Sequence, residues 1–233
     1  MTEKFLKSLK KSEFSIRQVK NTVREYLSKG DNDRIAEMAL LDRRNLGALI
    51  SLSYDKSSEI CWRAIHLAGK IIGSMAETNY DEARVQVRRL LWNASDESGT
   101  IPWSVVEIIG EVVRENPTPF EDMVPIIIGF SNSETEDNIF LPGVLYAIGR
   151  IGEKHDKYMS DYAIILVREC LRHKDSEVCA NALIAAKRLK VDGIGEQLDR
   201  LRERHEVVKV YYADRLVTTT VSELAGSLFD KTA

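Results

Sequence analysis

Four stretches of the chain align on one another: CWRAIHLAGKIIG from Cys61, PWSVVEIIGEVVR from Pro102, LPGVLYAIGRIGE from Leu141 and VCANALIAAKRLK from Val178. They register on Gly69, Gly110, Gly149 and Ala186, at steps of 41, 39 and 37 residues. No other feature constrains the fold as strongly. A unit that cannot bury its apolar side alone must bury it on its neighbours, so a repeat of this length implies stacked units sharing one core. Apolar residues recur around each register position at helical spacing, as at Ile65, Leu67, Ala68 and Ile71. The small residue at the register lets a neighbouring helix come close.

A second helix precedes each of these. Asn79 and Glu82 have capping-box spacing ahead of ARVQVRRLLW, and Thr118, Pro119 and Glu121 predict a start ahead of DMVPIIIGF. Ser15 and Gln18 do the same for the first long helix, with Phe14 and Val19 placed as a hydrophobic staple. The predicted unit is a pair of antiparallel helices in roughly 40 residues. About five such pairs fill residues 1–205 as one all-α array, an α-solenoid. Residues 206–233 depart from the pattern. EVVKVYYADRLVTTT predicts a β-hairpin turning near Ala213-Asp214-Arg215, followed by a short helix capped by Thr220 and Glu223. A lone hairpin is marginal in water, so it is expected to cap the open end of the array, or else to form a homodimer through its edge.

These features resemble the HEAT-like (armadillo-type) repeat families. Pro125 matches the proline that bends the first helix of many HEAT units, and KDSEVCANALIAAKRL (174–189) is similar to the turn and second helix of that consensus. The segment Leu90–Trp92, Asp96–Gly99, Trp103, Glu107, Gly110 and Glu111 is similar to an LLW…DESG…W…E…GE pattern in uncharacterised HEAT-like proteins of anaerobic bacteria. The resemblance implies that the second helices line a concave, partner-binding face.

On those second helices one stripe holds Trp62, His66 and Lys70, then Trp103, Glu107 and Glu111, then Tyr146 and Arg150. This is the expected contact surface for a protein or peptide, since aromatics and arginine are the types that concentrate binding energy. Trp103 has a second account: Ser104 and Glu107 have capping-box spacing, which makes Trp103 a staple residue and turns Glu107 back on a backbone amide.

Composition bounds the chemistry. A formal charge of −3 argues against a dedicated nucleic-acid binder. No apolar run is long enough to span a membrane, and the N-terminus lacks a signal-peptide core. Lys4, Lys7, Lys10 and Lys11 are expected on an N-terminal capping helix, and the acidic 131–138 loop on a solvated turn. Cys61, Cys170 and Cys179 share no metal-binding spacing and are expected as buried thiols, which suits the cytoplasm.

No nucleophile elbow, P-loop or dinucleotide fingerprint occurs. The only His-Glu pair, His205–Glu206, lies outside the repeats, unlike the recurring pairs of the HEAT-like deoxyhypusine hydroxylases. The stripe is loosely similar to that of the HEAT-like DNA glycosylases, but Glu107 and Glu111 put negative charge at its centre. Nothing marks a chromophore site of the HEAT-like bilin lyases. The expected function is therefore a non-catalytic interaction scaffold needing no cofactor. The alternative is a repeat-class enzyme, lyase or metal-binding protein centred on Asp96, Glu97, Glu107 and Glu111, carboxylates suited to a hard cation.

Overall fold

The computed structural model describes residues 14–94, 104–132 and 138–229. Twelve α-helices and one two-stranded antiparallel sheet occur among them, the sheet lying just before the last helix. The helices are α1 (Ile16–Lys29), α2 (Asn32–Leu41), α3 (Arg43–Leu52), α4 (Glu59–Met75), α5 (Tyr80–Ala94) and α6 (Val105–Glu115). They continue with α7 (Met123–Gly129), α8 (Leu141–Lys154), α9 (Asp161–Cys170), α10 (Ser176–Leu189) and α11 (Gly195–Arg202). Strands β1 (Val207–Tyr212) and β2 (Arg215–Thr220) then precede α12 (Val221–Phe229).

Several boundaries follow from local chemistry. Ser15 and Gln18 form the reciprocal capping box at α1, although Phe14 is largely exposed and adds little as a staple. Gly30 stops α1 at φ 74°, a left-handed conformation glycine adopts without a Cβ penalty. Asn79 Oδ1 accepts from the Glu82 amide at α5. Thr220 and Glu223 bond reciprocally at α12. Thr118 to Phe120 form a 3₁₀ turn instead of opening a helix, so α7 begins later, at Met123, with Pro125 inside its first turn, where no amide donor is required.

The helices that carry the register residues pack in chain order: α4 on α6, α6 on α8, and α8 on α10. Close approach occurs where small residues permit it. A Cβ on Gly110 would lie 2.5 Å from Ala147 Cβ and 2.9 Å from its Cα, and one on Gly69 would overlap Glu111 Cβ. The apolar core runs the length of this row, with Ile65, Ile72, Ile108, Ile109, Leu145 and Ile148 all but sealed from solvent. Helix α5 packs on α4 and α6, and α7 on α6 and α8. They carry exposed apolar side chains, Trp92 on α5 and Ile126 on α7.

The hairpin packs on the last register helix, α10, and reaches beyond it. β1 pairs with β2 from Val207↔Thr220 to Tyr212↔Arg215, joined by Ala213 and Asp214, both at positive φ. That is the condition of a type I′ turn. Alternation puts Lys209 and Tyr211 on one face, and that face meets α4 and the turn before it: Lys209 Nζ donates to the Ser57 carbonyl at 2.6 Å, and Tyr211 stacks on Trp62 at 4.9 Å and 6°. β1 packs on α10 as well. The hairpin therefore lies across the row of helices from α10 back to α4. Arg204, just before it, is pinned to the His173 and Lys174 carbonyls at the start of α10.

Candidate functional site

Trp62, His66, Glu107, Glu111, Tyr146 and Arg150 do come together, but beneath the hairpin. Trp62 is 6% exposed, Glu107 2%, Glu111 4%, Tyr146 3% and Arg150 8%, so the expectation of an open stripe is corrected for these five. Tyr211 contributes from the hairpin: its ring covers Trp62 and meets His66 edge-on at 5.1 Å. Lys70 is exposed and His66 half-buried. Trp103, Asp96 and Glu97 lie outside the described residues, as do Lys4, Lys7, Lys10, Lys11 and most of the 131–138 loop.

Two ion pairs with buried carboxylates flank the aromatic block. Glu111 Oε1 accepts from Arg150 Nε at 2.6 Å and from the Tyr146 hydroxyl at 2.7 Å, and Arg150 Nη2 reaches Oε2 at 3.2 Å. Burial pushes the Glu111 carboxyl up, yet the Arg150 bonds and the neighbouring charges outweigh it and hold it below the usual range. Burial raises the Tyr146 phenol well above its ordinary value, so it stays protonated and serves as a donor. Its single proton goes to the carboxylate, an acceptor only, so the His66 Nε2, 2.7 Å away, donates to the phenol oxygen. His66 is thus the Nε2–H tautomer. Burial lowers its pKa despite the attraction of Glu111, leaving it neutral at pH 7.

Glu107 pairs with Lys56, and the Lys56 carbonyl accepts from Trp62 Nε1 at 3.1 Å. Gly143 on α8 leaves room for that carboxylate: a Cβ there would come within 2.7 Å of it. Ser104, expected to bond Glu107 in a capping box, makes no side-chain cap and donates to the Ser53 carbonyl instead. The local pattern is overridden by two partners 51 residues away.

Beside this network a cavity of about 740 Å³ remains open. His66, Lys70, Glu111 and Arg150 of the predicted stripe line it, and so do Arg63, Arg114, Tyr211 and Asp214, which the sequence did not single out. Arg114 sits one helical turn beyond Glu111, a spacing that could have marked it. Tyr211 and Asp214 arrive through the hairpin's placement, which no spacing encodes.

Comparison with known proteins gives a likeness without an activity. No family model matches the chain. It is 29% identical over 186 residues to an uncharacterised protein of Archaeoglobus fulgidus, an alignment that covers 76% of this chain and 91% of that protein.

Elsewhere the chemistry is quiet. Cys61, Cys170 and Cys179 are buried free thiols, and burial pushes Cys61 and Cys170 up to about 12, far from a reactive thiolate. His155 bonds the Arg114 carbonyl, and His173 accepts from the Asp175 amide. Among the described residues no three metal-binding side chains converge, and no helix is long and apolar enough to cross a membrane.

Proposed function

We propose that this protein is a non-catalytic binding scaffold of the HEAT-like solenoid type. It takes a protein or peptide partner on the inner face of its second helices, at the cavity the hairpin leaves open. One observation carries the reading: His66, Lys70, Glu111 and Arg150, drawn from three successive register helices, meet at the wall of one polar cavity. The ordered packing of α4, α6, α8 and α10 at small residues supports the solenoid. The pairing of Glu107 with Lys56 and of Glu111 with Arg150 supports binding over a metal-centred enzyme, because both carboxylates already have their cations. In this reading Trp62 and Tyr146 are the packed floor that fixes the wall, and Lys70, His66 and Arg114 meet the partner.

Selection of a random peptide library on the purified full chain tests the proposal. Enriched peptides that lose more than roughly tenfold in affinity on Lys70→Glu, with helicity and melting unchanged, support it. Failure to enrich any binder, or binders indifferent to Lys70→Glu, overturns it.

A further inference from the structure

The cavity wall offers a partner no net charge. Lys29 pairs with Glu25 at 2.5 Å and Arg63 lies 3.6 Å from Glu59, which leaves Lys70, Arg114 and Arg150 balanced by Glu111, Glu115 and Asp214. Selection then falls to hydrogen bonds, and several of the wall's groups have spent theirs within the fold. Glu111 accepts from Arg150 and Tyr146, and Arg63 donates to the Leu27 and Ser28 carbonyls. His66 keeps one in reserve. Its Nε2–H donates to the Tyr146 oxygen at 2.7 Å, and the Tyr146 proton is committed to Glu111. Two hydrogen bonds in series thus lock the tautomer, and Tyr211 holds the ring edge-on at 5.1 Å. Nδ1 is left with a lone pair. It makes no hydrogen bond among the described residues, is not sealed from solvent, and belongs to a ring that lines the cavity.

Given the inner-face reading above, on which this rests, the geometry points to His66 Nδ1 as the acceptor that selects the peptide partner. It takes a segment presenting an uncharged N–H or O–H donor, and protonation of Nδ1 releases that segment. A backbone amide or a serine or threonine hydroxyl supplies such a donor. A cationic donor meets Arg63 and Lys70, three residues before and four after His66 on the same helix. The added proton enters at Nδ1, since Nε2 already holds one, and a donor then faces a donor. The bond from Nε2 to Tyr146 is untouched. Charged groups on every side set the pH of this change. Helix α4 brings Arg63 and Lys70, α6 brings Glu111 and Arg114, and α8 brings Tyr146 and Arg150. The hairpin adds Tyr211 and Asp214, and Lys29 of α1 lies on the same wall. Burial opposes the imidazolium most strongly, with Arg150 and Arg114 behind it, and outweighs the attraction of Glu111 and Asp214. The acceptor is therefore intact at pH 7. Partner affinity holds steady above pH 6.5 and, in proportion to the neutral fraction, falls by about tenfold per pH unit below the folded pKa.

Two measurements on the full chain test this. Nitrogen-15 correlation spectra of the free protein should show the His66 ring protonated at Nε2 and bare at Nδ1 at pH 7, with proton uptake below pH 6.5. The affinity of library-selected peptides is then followed from about pH 8 to about pH 5 in wild type, His66→Asn and His66→Gln. Asparagine keeps an acceptor near the place of Nδ1 and takes up no proton, so it binds within about threefold of wild type at pH 7 and loses the pH dependence. Glutamine reaches toward Tyr146 in place of Nε2 without the nearer acceptor, and binds roughly tenfold more weakly at pH 7. The opposite tautomer in the spectra overturns the inference. So does wild-type affinity that stays flat while His66 titrates, or a pH dependence that survives in His66→Asn. Peptides whose binding is flat with pH yet still depends on Lys70 would leave the scaffold standing and remove only the role of His66. Failure to select any peptide removes both.

Discussion

Replacing the register glycines by alanine probes the stacked helices most sharply, because one methyl group is asked to fit at sites of very different room. In a helix interior alanine is better than glycine by about 1 kcal/mol. At Gly47, inside α3, nothing lies within 4 Å of the added Cβ, so the propensity gain stands alone. Gly47→Ala should stabilise by about 1 kcal/mol and raise Tm by about 2–4 °C for a chain of this size. At Gly69 the same Cβ overlaps Glu111 Cβ and lies 3.0 Å and 3.1 Å from Glu111 backbone atoms, which cannot swing aside. Overpacking of that severity costs about 3 kcal/mol, the upper end of its usual range, leaving a net loss of about 2 kcal/mol and a Tm lower by about 4–8 °C. Gly110→Ala, against Ala147, belongs with Gly69. Gly149 is intermediate: its nearest neighbours are Ala185 Cα at 3.1 Å and Arg188 Cδ at 3.3 Å. The two effects there nearly cancel. Urea unfolding followed by far-UV circular dichroism should return the order Gly47, Gly149, then Gly69 and Gly110. Equal stabilisation at Gly69 and Gly47 would refute the close helix crossings.

Three further outcomes follow. Arg150→Met strands the buried Glu111 carboxylate and should cost about 3–5 kcal/mol, most of it recovered when Glu111→Leu is added; no recovery in the double-variant unfolding curve counts against the pair. His66 has a folded pKa below its ordinary 6.5, so between those two values the unfolded chain binds more protons and stability falls as pH falls. The stability advantage of wild type over His66→Gln should shrink below pH 6.5 and hold steady above it, and a pH-independent difference sinks the assignment. Tyr211→Ala removes the stack on Trp62, at a cost of about 3 kcal/mol, and should speed amide exchange across 207–220 while α8 keeps its protection. Unaltered exchange there would show that the stack does not hold the hairpin.

How much of this was legible depended on range. Capping boxes at Ser15 and Thr220 were readable because donor and acceptor lie three residues apart. The identical spacing at Ser104 and Glu107 misled, since Ser53 and Lys56 compete for those side chains from across the fold. The register glycines announced helix crossings because a missing side chain is visible in sequence. The shared face of His66, Glu111 and Arg150 was equally visible, being a matter of helical periodicity. Its burial was not. That depends in part on Tyr211 reaching Trp62, a contact set by the path of the chain through Arg204 and the turn at Ala213–Asp214.

The central claim is that a partner seats in the cavity on the inner face. Amide correlation spectra of the labelled full chain, recorded during titration with a library-selected peptide, test it directly. Shifts should concentrate at His66, Lys70, Arg114 and Tyr211. Shifts gathered instead around the exposed Trp92, Ile126, Tyr162 and Ile165, with the cavity residues unmoved, would contradict it.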